Sequence, residues 1–147
     1  MRRISAEELR SALREARAVA EHTSRCLRKK VGAVLFANDG RFLSYGANIN
    51  PPGEPCDEGF CPRGRSTYDE VPVDAPYADC TATHAEKIAV KLGLERIEGN
   101  AGLWPLWAEK VLWGGTIVVT HEPCHECMPA LQKLKLNVYW PEGQVLR

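Results

Sequence analysis

Two short fragments of the chain carry side chains suited to metal chemistry. The first is His84-Ala85-Glu86, and the second is Pro123-Cys124-His125-Glu126-Cys127. A helix beginning at each fragment would place both sulfurs of the C-x-x-C near free backbone N–H groups, which favour thiolates. One imidazole and two thiolates suit tetrahedral zinc and leave a fourth position for water, as a catalytic site requires. We therefore predict a catalytic zinc ion held by His84, Cys124 and Cys127.

Glu86 is placed to move protons beside such an ion. It lies two residues beyond His84 on the same predicted first turn, so its carboxylate can reach the open coordination position without ligating the metal. Zinc lowers the pKa of bound water towards neutrality. A carboxylate there can take a proton from that water, give it to a ring nitrogen and then protonate a departing amine. H-x-E with P-C-x-x-C resembles the signature of zinc deaminases that act on cytosine or adenine.

Each fragment taken alone has a simpler interpretation. A lone C-x-x-C also fits half of a structural zinc site or a redox pair. Glu86 has capping-box spacing to Thr83, and an isolated His84 would more often be a packed or surface residue. His121 and His125 flank the cysteines and are competing ligands, although the signature leaves them out. The joint occurrence, with a proline before the first cysteine and a strand pattern before that, favours the deaminase.

The elements that must position these residues alternate between helices and strands. Ser5 and Glu8 have capping-box spacing at the start of an amphipathic N-terminal helix. Asn38-Asp39-Gly40 is a strong turn signal between two strands, which predicts a β-hairpin over 31–37 and 41–49. Further helices are predicted over 83–92 and 123–134, and further strands over 116–120 and 136–140, with Pro141 ending the last strand.

Two stretches interrupt this alternation. Prolines and glycines exclude regular structure over most of 50–79, and a loop of this length in a compact domain is more often functional than idle. Residues 93–115 carry three tryptophans and are interpreted as an insertion that forms a short helix or a packed loop. We predict that both stretches belong to one domain spanning 1–147.

Composition narrows the class of protein. Lysine plus arginine equals aspartate plus glutamate, 19 of each, so the formal charge is zero. This balance argues against a protein that grips long nucleic acid and offers little resistance to self-association. No apolar run is long enough to span a membrane, and no apolar signal segment follows the first arginines. We therefore expect a cytoplasmic protein, whose six cysteines would act as metal ligands rather than disulfides.

Over about residues 5 to 140 the chain resembles the deoxycytidylate (dCMP) deaminase family of the cytidine deaminase-like superfamily. The matching segments are Ser24-Arg25-Cys26, Val31-Gly32-Ala33-Val34, Gly46-Ala47-Asn48-Ile49-Asn50-Pro51, the run from Cys80 to Glu86, and Val119-Thr120-His121-Glu122-Pro123-Cys124. The resemblance implies an α/β fold with three α/β/α layers around a central mixed sheet. It also implies conversion of dCMP to dUMP and ammonia, and homo-oligomers in which neighbours complete each other's pockets.

The same resemblance implies roles for residues outside the zinc fragments. Asn48 matches an asparagine that contacts the sugar and pyrimidine region, although a simple turn residue would also fit. Ala85 matches a residue whose backbone lines the base pocket. Ser24, Arg25 and Lys29 are candidates for the 5′-phosphate, since a guanidinium can bind phosphate with two hydrogen bonds. A solvated basic face accounts for the two cations equally well.

Four further cysteines lie outside the catalytic motif. Some dCMP deaminase-like proteins carry a second zinc at matching positions, and four thiolates form a closed structural site. Such a site would hold the proline-rich loop in place. The alternative is four buried or free thiols. The resemblance thus favours a structural zinc bound by Cys26, Cys56, Cys61 and Cys80.

The chain also departs from the family pattern. Ala47 and Ile49 replace the tyrosine and glycine of the usual G-Y-N-G. Deamination of another base, a nucleoside or transfer RNA adenosine therefore remains open, although the last would require a basic tract that is not evident. A non-catalytic zinc module is the third alternative. Glu86 discriminates against that module, because a structural site has no need of a carboxylate beside the metal.

Overall fold

The computed structural model describes residues 4–24, 30–48, 84–98 and 112–146. In chain order the elements are α1 (Ala6–Thr23), β1 (Gly32–Phe36), β2 (Phe42–Ala47), α2 (Ala85–Glu98), β3 (Thr116–Val119), α3 (Cys127–Lys133), β4 (Asn137–Trp140) and β5 (Gly143–Val145). None of the helices in these ranges is long and apolar enough to cross a membrane. The predicted loop at 50–79 lies outside the described residues, as does most of the predicted tryptophan-bearing insertion.

The strands form one mixed sheet in the order β2-β1-β3-β4-β5. Strand β1 is antiparallel to both of its neighbours, so Ala33 lies opposite Gly46 of β2 and Val119 of β3. Strands β3 and β4 are parallel, and β4 and β5 are antiparallel. The mixed sheet expected from the family resemblance is confirmed.

Alternating side chains of the sheet pack against helices on opposite faces. Leu35 and Ile117 belong to a buried cluster that includes Ala89 of α2 and Leu131 of α3. Val118 points to the other face and packs in a second cluster with residues of α1. Because successive side chains of a strand point to opposite faces, one layer of helices covers each side. The predicted three-layer α/β/α architecture is confirmed.

Helix α1 begins as its sequence predicts. The Ser5 hydroxyl oxygen accepts the Glu8 N–H at 3.1 Å, and the Glu8 carboxylate accepts the Ser5 N–H at 2.8 Å. The buried face consists largely of small residues, including Ala16, which is fully buried. A Cβ added at Gly32 would collide with the Ala16 carbonyl, so the glycine allows α1 to lie directly against the start of β1.

Helix α2 is longer than the sequence predicts. The predicted end at residue 92 is wrong, because the helix continues through Gly93 to Glu98. Glycine weakens a helix by roughly 1 kcal/mol relative to alanine, which makes it resemble a terminator. At Gly93, however, an added Cβ would lie 2.6 Å from the Leu35 side chain. The glycine is therefore a site of close helix–sheet contact, and residues 93–98 belong to the helix rather than to the insertion.

The last third of the chain differs from prediction at two points. Helix α3 begins at Cys127 rather than at Pro123, and Cys124 precedes it with its carbonyl accepting the Met128 N–H at 3.0 Å. Strand β4 does end before Pro141, but β5 follows and was not predicted. At three residues, β5 is too short to show an alternating pattern.

Candidate zinc site

The start of β1 and the ends of β2 and β3 lie together at one edge of the sheet, close to several of the predicted site residues. Strand β1 begins where β2 and β3 end, because it is antiparallel to both. The pairing continues past the strands: Asn48 N–H donates to the Val31 carbonyl at 3.2 Å, and Thr120 N–H donates to the Gly32 carbonyl at 2.9 Å. Ligands of open α/β sheets characteristically bind near strand ends of this kind. The fold therefore places Asn48 and the segment leading to the C-x-x-C at one edge.

Gly46 determines how closely α2 approaches this edge. A Cβ added there would lie 2.5 Å from the Ala85 carbonyl oxygen and 2.7 Å from the Ala89 nitrogen. The first turn of α2 thus packs directly on the backbone of β2, with His84 immediately before it. In the sequence, Gly46 stands out only as part of the Gly46-Ala47-Asn48 motif, and its role in helix packing was not predicted. A glycine two residues before the candidate substrate-binding Asn48 was the available signal.

His84, Cys124 and Cys127 come together at the edge. The His84 Nδ1 lies 3.1 Å from the Cys127 Sγ and 3.5 Å from the Cys124 Sγ. All three candidate ligand atoms lie within 4.8 Å of one another. Ligands at about 2.0 to 2.3 Å from a tetrahedral zinc ion would be roughly 3.6 to 3.8 Å apart. The two separations from the His84 nitrogen are slightly shorter than these values, and the three donor atoms are close enough together for one zinc ion to bind all of them.

The electrostatics of the cluster also favour a bound cation. Cys127 is 1% exposed. Burial, followed by the negative charge of Glu86 and by interactions with Cys124, raises the pKa of the Cys127 thiol well above its usual range. A buried thiol beside a carboxylate stays protonated unless a cation compensates the charge. Zinc deprotonates a coordinating thiol outright, so a bound zinc ion would compensate the charge on Cys127.

Glu86 lies beside the cluster without belonging to the metal-binding group. It is the second residue of α2 and is 4% exposed. Its negative charge contributes to the raised pKa of the Cys127 thiol. Both residues line a groove of about 220 Å³ between α2 and α3, whose other walls include Leu94 and Leu131. A carboxylate is thus held next to the ligands in largely apolar surroundings.

A family model described as the cytidine and deoxycytidylate deaminase zinc-binding region matches residues 6–140. The chain belongs to this deaminase family. The match covers α1 to β4 and includes both fragments of the zinc cluster. The family resemblance drawn from the sequence is confirmed, and the His/Cys/Cys cluster fits the catalytic zinc of a zinc-dependent deaminase.

Solved structures support the fold of the deaminase. The dCMP deaminase of cyanophage S-TIM5 in complex with dCMP and dUMP is 22% identical, with a TM-score of 0.61 over 94% of this chain and 83% of that chain. The apo form of the same cyanophage enzyme is 21% identical, with a TM-score of 0.59 over 93% of this chain and 84% of that chain. Cytidine deaminase from Burkholderia pseudomallei is 19% identical, with a TM-score of 0.51 over 95% of this chain and 88% of that chain. A search of curated protein sequences finds no match.

The two histidines that flank the cysteines are not part of the deaminase's metal cluster. His121 Nδ1 lies 2.8 Å from the Thr120 hydroxyl, which also accepts the Gly32 N–H at 3.0 Å. His125 is exposed. Among the residues that the structure describes, His84 is therefore the histidine that joins the two cysteines.

The predicted substrate-binding residues of the deaminase are placed only in part. Asn48 lies at the site edge, where its side-chain oxygen accepts the Ser24 hydroxyl at 2.6 Å and the Val31 N–H at 2.8 Å. Ser24 is buried, with 4% of its surface exposed. Ala85 is fully buried at the start of α2. The other predicted site residues lie outside the described residues: Arg25, Lys29, Cys26, Cys56, Cys61 and Cys80.

Replacing Gly46 with alanine should disturb the deaminase through packing alone. The added methyl group would meet backbone atoms of α2, so we expect the helix start and His84 to shift. Overpacking of this kind costs about 1 to 3 kcal/mol. Thermal unfolding should show the lost stability, and metal analysis should show a lower zinc content. Tyr45→Thr, at an exposed neighbour, is the control; a Gly46→Ala protein with unchanged melting and zinc content would contradict the close-approach argument.

Proposed function

We propose that the chain hydrolyses the 4-amino group of a cytosine nucleotide, with dCMP as the preferred substrate and dUMP and ammonia as products. The observation that carries this proposal is the buried carboxylate of Glu86 beside three clustered zinc ligands. Family membership supports the chemistry. The cyanophage dCMP deaminase, which has the same fold and was crystallised with dCMP and dUMP, supports the choice of nucleotide.

His84, Cys124 and Cys127 would hold the zinc ion. When bound, zinc supplies a Lewis acid that lowers the pKa of water towards neutrality. Glu86 accepts the proton that water loses as it adds to C4 of the base, and donates a proton to N3. Glu86 then takes the remaining proton from the hydroxyl group on C4 and delivers it to the departing amino group, so that ammonia leaves as the C4 carbonyl forms. The buried position of Glu86 limits exchange of that proton with bulk water.

We propose the remaining substrate contacts from the family resemblance. Asn48 at the end of β2 would contact the sugar and pyrimidine region. The backbone of Ala85, next to the ligand His84, would line the base pocket. We keep Ser24, Arg25 and Lys29 as the candidates for the 5′-phosphate. Ser24 caps the end of α1, the two cations follow it closely in sequence, and a guanidinium binds phosphate well.

Ammonia release tests this proposal across a panel of cytosine, adenine and guanine nucleotides, nucleosides and free bases, together with a transfer RNA arm. We expect the highest kcat/KM for dCMP. Highest activity on cytidine or deoxycytidine would make the chain a nucleoside deaminase, and highest activity on an adenosine would overturn the cytosine assignment. A protein that holds zinc at the site but turns over no member of the panel would be a structural zinc module.

We further propose the second, structural zinc bound by Cys26, Cys56, Cys61 and Cys80. The wild-type protein should then contain two zinc ions per chain, and Cys56→Ser or Cys61→Ser should remove one of them. Limited proteolysis within residues 50–79 should become faster, because the zinc ion would no longer hold the loop in place. Metal analysis of purified protein provides the measurement. One zinc per chain in the wild type would remove this second site.

Self-association and a cytoplasmic location complete the proposal. Zero formal charge permits close approach of copies of the chain, and the resemblance implies oligomers. Sedimentation velocity at low micromolar concentration is expected to show a species larger than one 16.3 kDa chain. A single sedimentation boundary that corresponds to the monomer would contradict self-association.

A further inference from the structure

The two cysteines of the C-x-x-C are one helical turn apart. The Cys124 carbonyl accepts the Met128 N–H at 3.0 Å, so residues 124–128 form a turn that leads into α3. Residues three apart on such a turn have Cα atoms about 5 Å apart, and disulfides join Cα atoms separated by about 4.4 to 6.8 Å. The two sulfurs themselves lie within 4.8 Å of each other. The backbone therefore allows a bond between them.

The two thiols differ in exposure. Both are free cysteines in the structure. Cys124 is half-buried, whereas Cys127 is 1% exposed. A small dissolved oxidant therefore reaches the Cys124 sulfur first, and the Cys127 sulfur lies close behind it. An accessible cysteine beside a second, resolving cysteine is the usual arrangement at a site of reversible oxidation.

A disulfide between these sulfurs would change the metal centre. A cysteine binds zinc as a thiolate, and a disulfide sulfur is no longer a thiolate. Of the three clustered ligands, His84 alone would then be left to hold the ion. Oxidation should therefore release zinc. The metal-binding and redox interpretations of the C-x-x-C are thus two states of one pair of side chains.

We propose that Cys124 and Cys127 form a site of reversible oxidation by peroxide, at which a disulfide replaces the bound zinc ion. The inference rests on the zinc ligands of the proposed function. The Cys124 sulfur attacks one oxygen of hydrogen peroxide, the O–O bond breaks, and a sulfenic acid and one water form. The Cys127 sulfur then attacks the Cys124 sulfur, the S–O bond breaks, and a second water leaves with the remaining thiol proton. Two thiols lose two electrons, and one peroxide is reduced to two waters.

Mass spectrometry tests the disulfide directly. Residues 111–133 form one tryptic peptide, because Lys110 and Lys133 flank it, and Cys124 and Cys127 are its only cysteines. Metal-free protein is treated with hydrogen peroxide, alkylated under denaturing conditions and digested. We expect this peptide to escape alkylation and to be lighter by two hydrogen atoms than the reduced form. A dithiol reductant should restore alkylation of both cysteines.

Zinc release is the second measurement, with Cys61→Ser protein used to remove the proposed structural zinc. A coloured chelator should detect one released zinc ion for each disulfide formed in the 111–133 peptide. Zinc-loaded protein should oxidise more slowly than metal-free protein, since the metal engages the sulfur lone pairs. Disulfide formation without zinc release would overturn the inference, and so would oxidation that zinc does not slow.

The single cysteine variants are matched controls, and both are studied without metal. Cys127→Ser removes the resolving thiol, so oxidation should stop at a sulfenic acid on Cys124 that dimedone traps. Cys124→Ser leaves only the buried thiol, which should resist both peroxide and dimedone. Equal trapping in the two variants would overturn the assigned order of attack. Wild-type peptide that gains only oxygen atoms, or whose cysteines pair with others in the chain, would overturn the site itself.

Turnover separates this inference from the proposed function. Wild-type protein that forms the reversible disulfide but deaminates no member of the substrate panel would refute the proposed function alone. Wild-type protein that deaminates dCMP while its 111–133 peptide never forms the disulfide would refute the oxidation site alone. Protein that does neither would refute both.

Discussion

Glu86→Gln is expected to reduce kcat by at least about a thousandfold, near the upper part of the range for general acid–base catalysis. The amide has nearly the shape of the carboxylate but cannot accept and return a proton at neutral pH. In our mechanism one carboxylate serves both the attack of water and the departure of ammonia, so its loss affects both steps. Ammonia release from dCMP under saturating conditions measures the effect.

The control distinguishes proton transfer from structural damage. Glu126→Gln makes the same change at an exposed residue beside Cys127, where the side chain makes no capping hydrogen bond. We expect it to retain wild-type turnover. Both variants should keep the wild-type zinc content, because neither residue belongs to the cluster of ligands. Unimpaired turnover in Glu86→Gln would reject the assigned mechanism.

The zinc cluster could be predicted from sequence because its chemistry restricts residue types over short spacings. His84 and Glu86 lie two residues apart, and the two cysteines lie three apart. Few other functions require those types in those positions. What the spacing could not show was that the two fragments converge. That follows from β1 lying antiparallel to both β2 and β3, which brings the end of β2 and the end of β3 to one edge.

Roles that depend on distant partners could not be predicted. Ser24 is 24 residues from Asn48 in the chain, and nothing in its local sequence indicates that its hydroxyl donates to an asparagine. Gly93 resembled a helix terminator because its close contact with Leu35 is visible only after α2 packs on the sheet. Local signals such as the Ser5 capping box were read correctly, since both partners lie within one turn.

The second large effect is expected from Cys127→Ser, which should abolish zinc binding at the cluster. Losing a residue that only orients a metal ligand lowers activity by up to about 100-fold. Losing the ligand itself should therefore lower turnover by more than about 100-fold. Serine preserves the size of the side chain but does not ionise to replace the thiolate. The buried Glu86 carboxylate would also lose its compensating cation, so a lower melting temperature should accompany the loss. Metal analysis, thermal unfolding and ammonia release provide the three measurements.

His125→Ala is the matched control for Cys127→Ser, because His125 lies between the cysteines yet is exposed and outside the cluster. It should retain zinc and turnover. If zinc stays bound in Cys127→Ser and is lost from His125→Ala, then the histidine between the cysteines is the ligand, and the geometry assigned to the site is wrong.

The raised pKa of the Cys127 thiol adds a pH dependence to zinc binding. In the metal-free protein the thiol is protonated at neutral pH, so zinc must displace a proton when it binds. Zinc affinity should therefore fall as the pH is lowered from about 8 to about 6, and competition with a chelator measures that affinity.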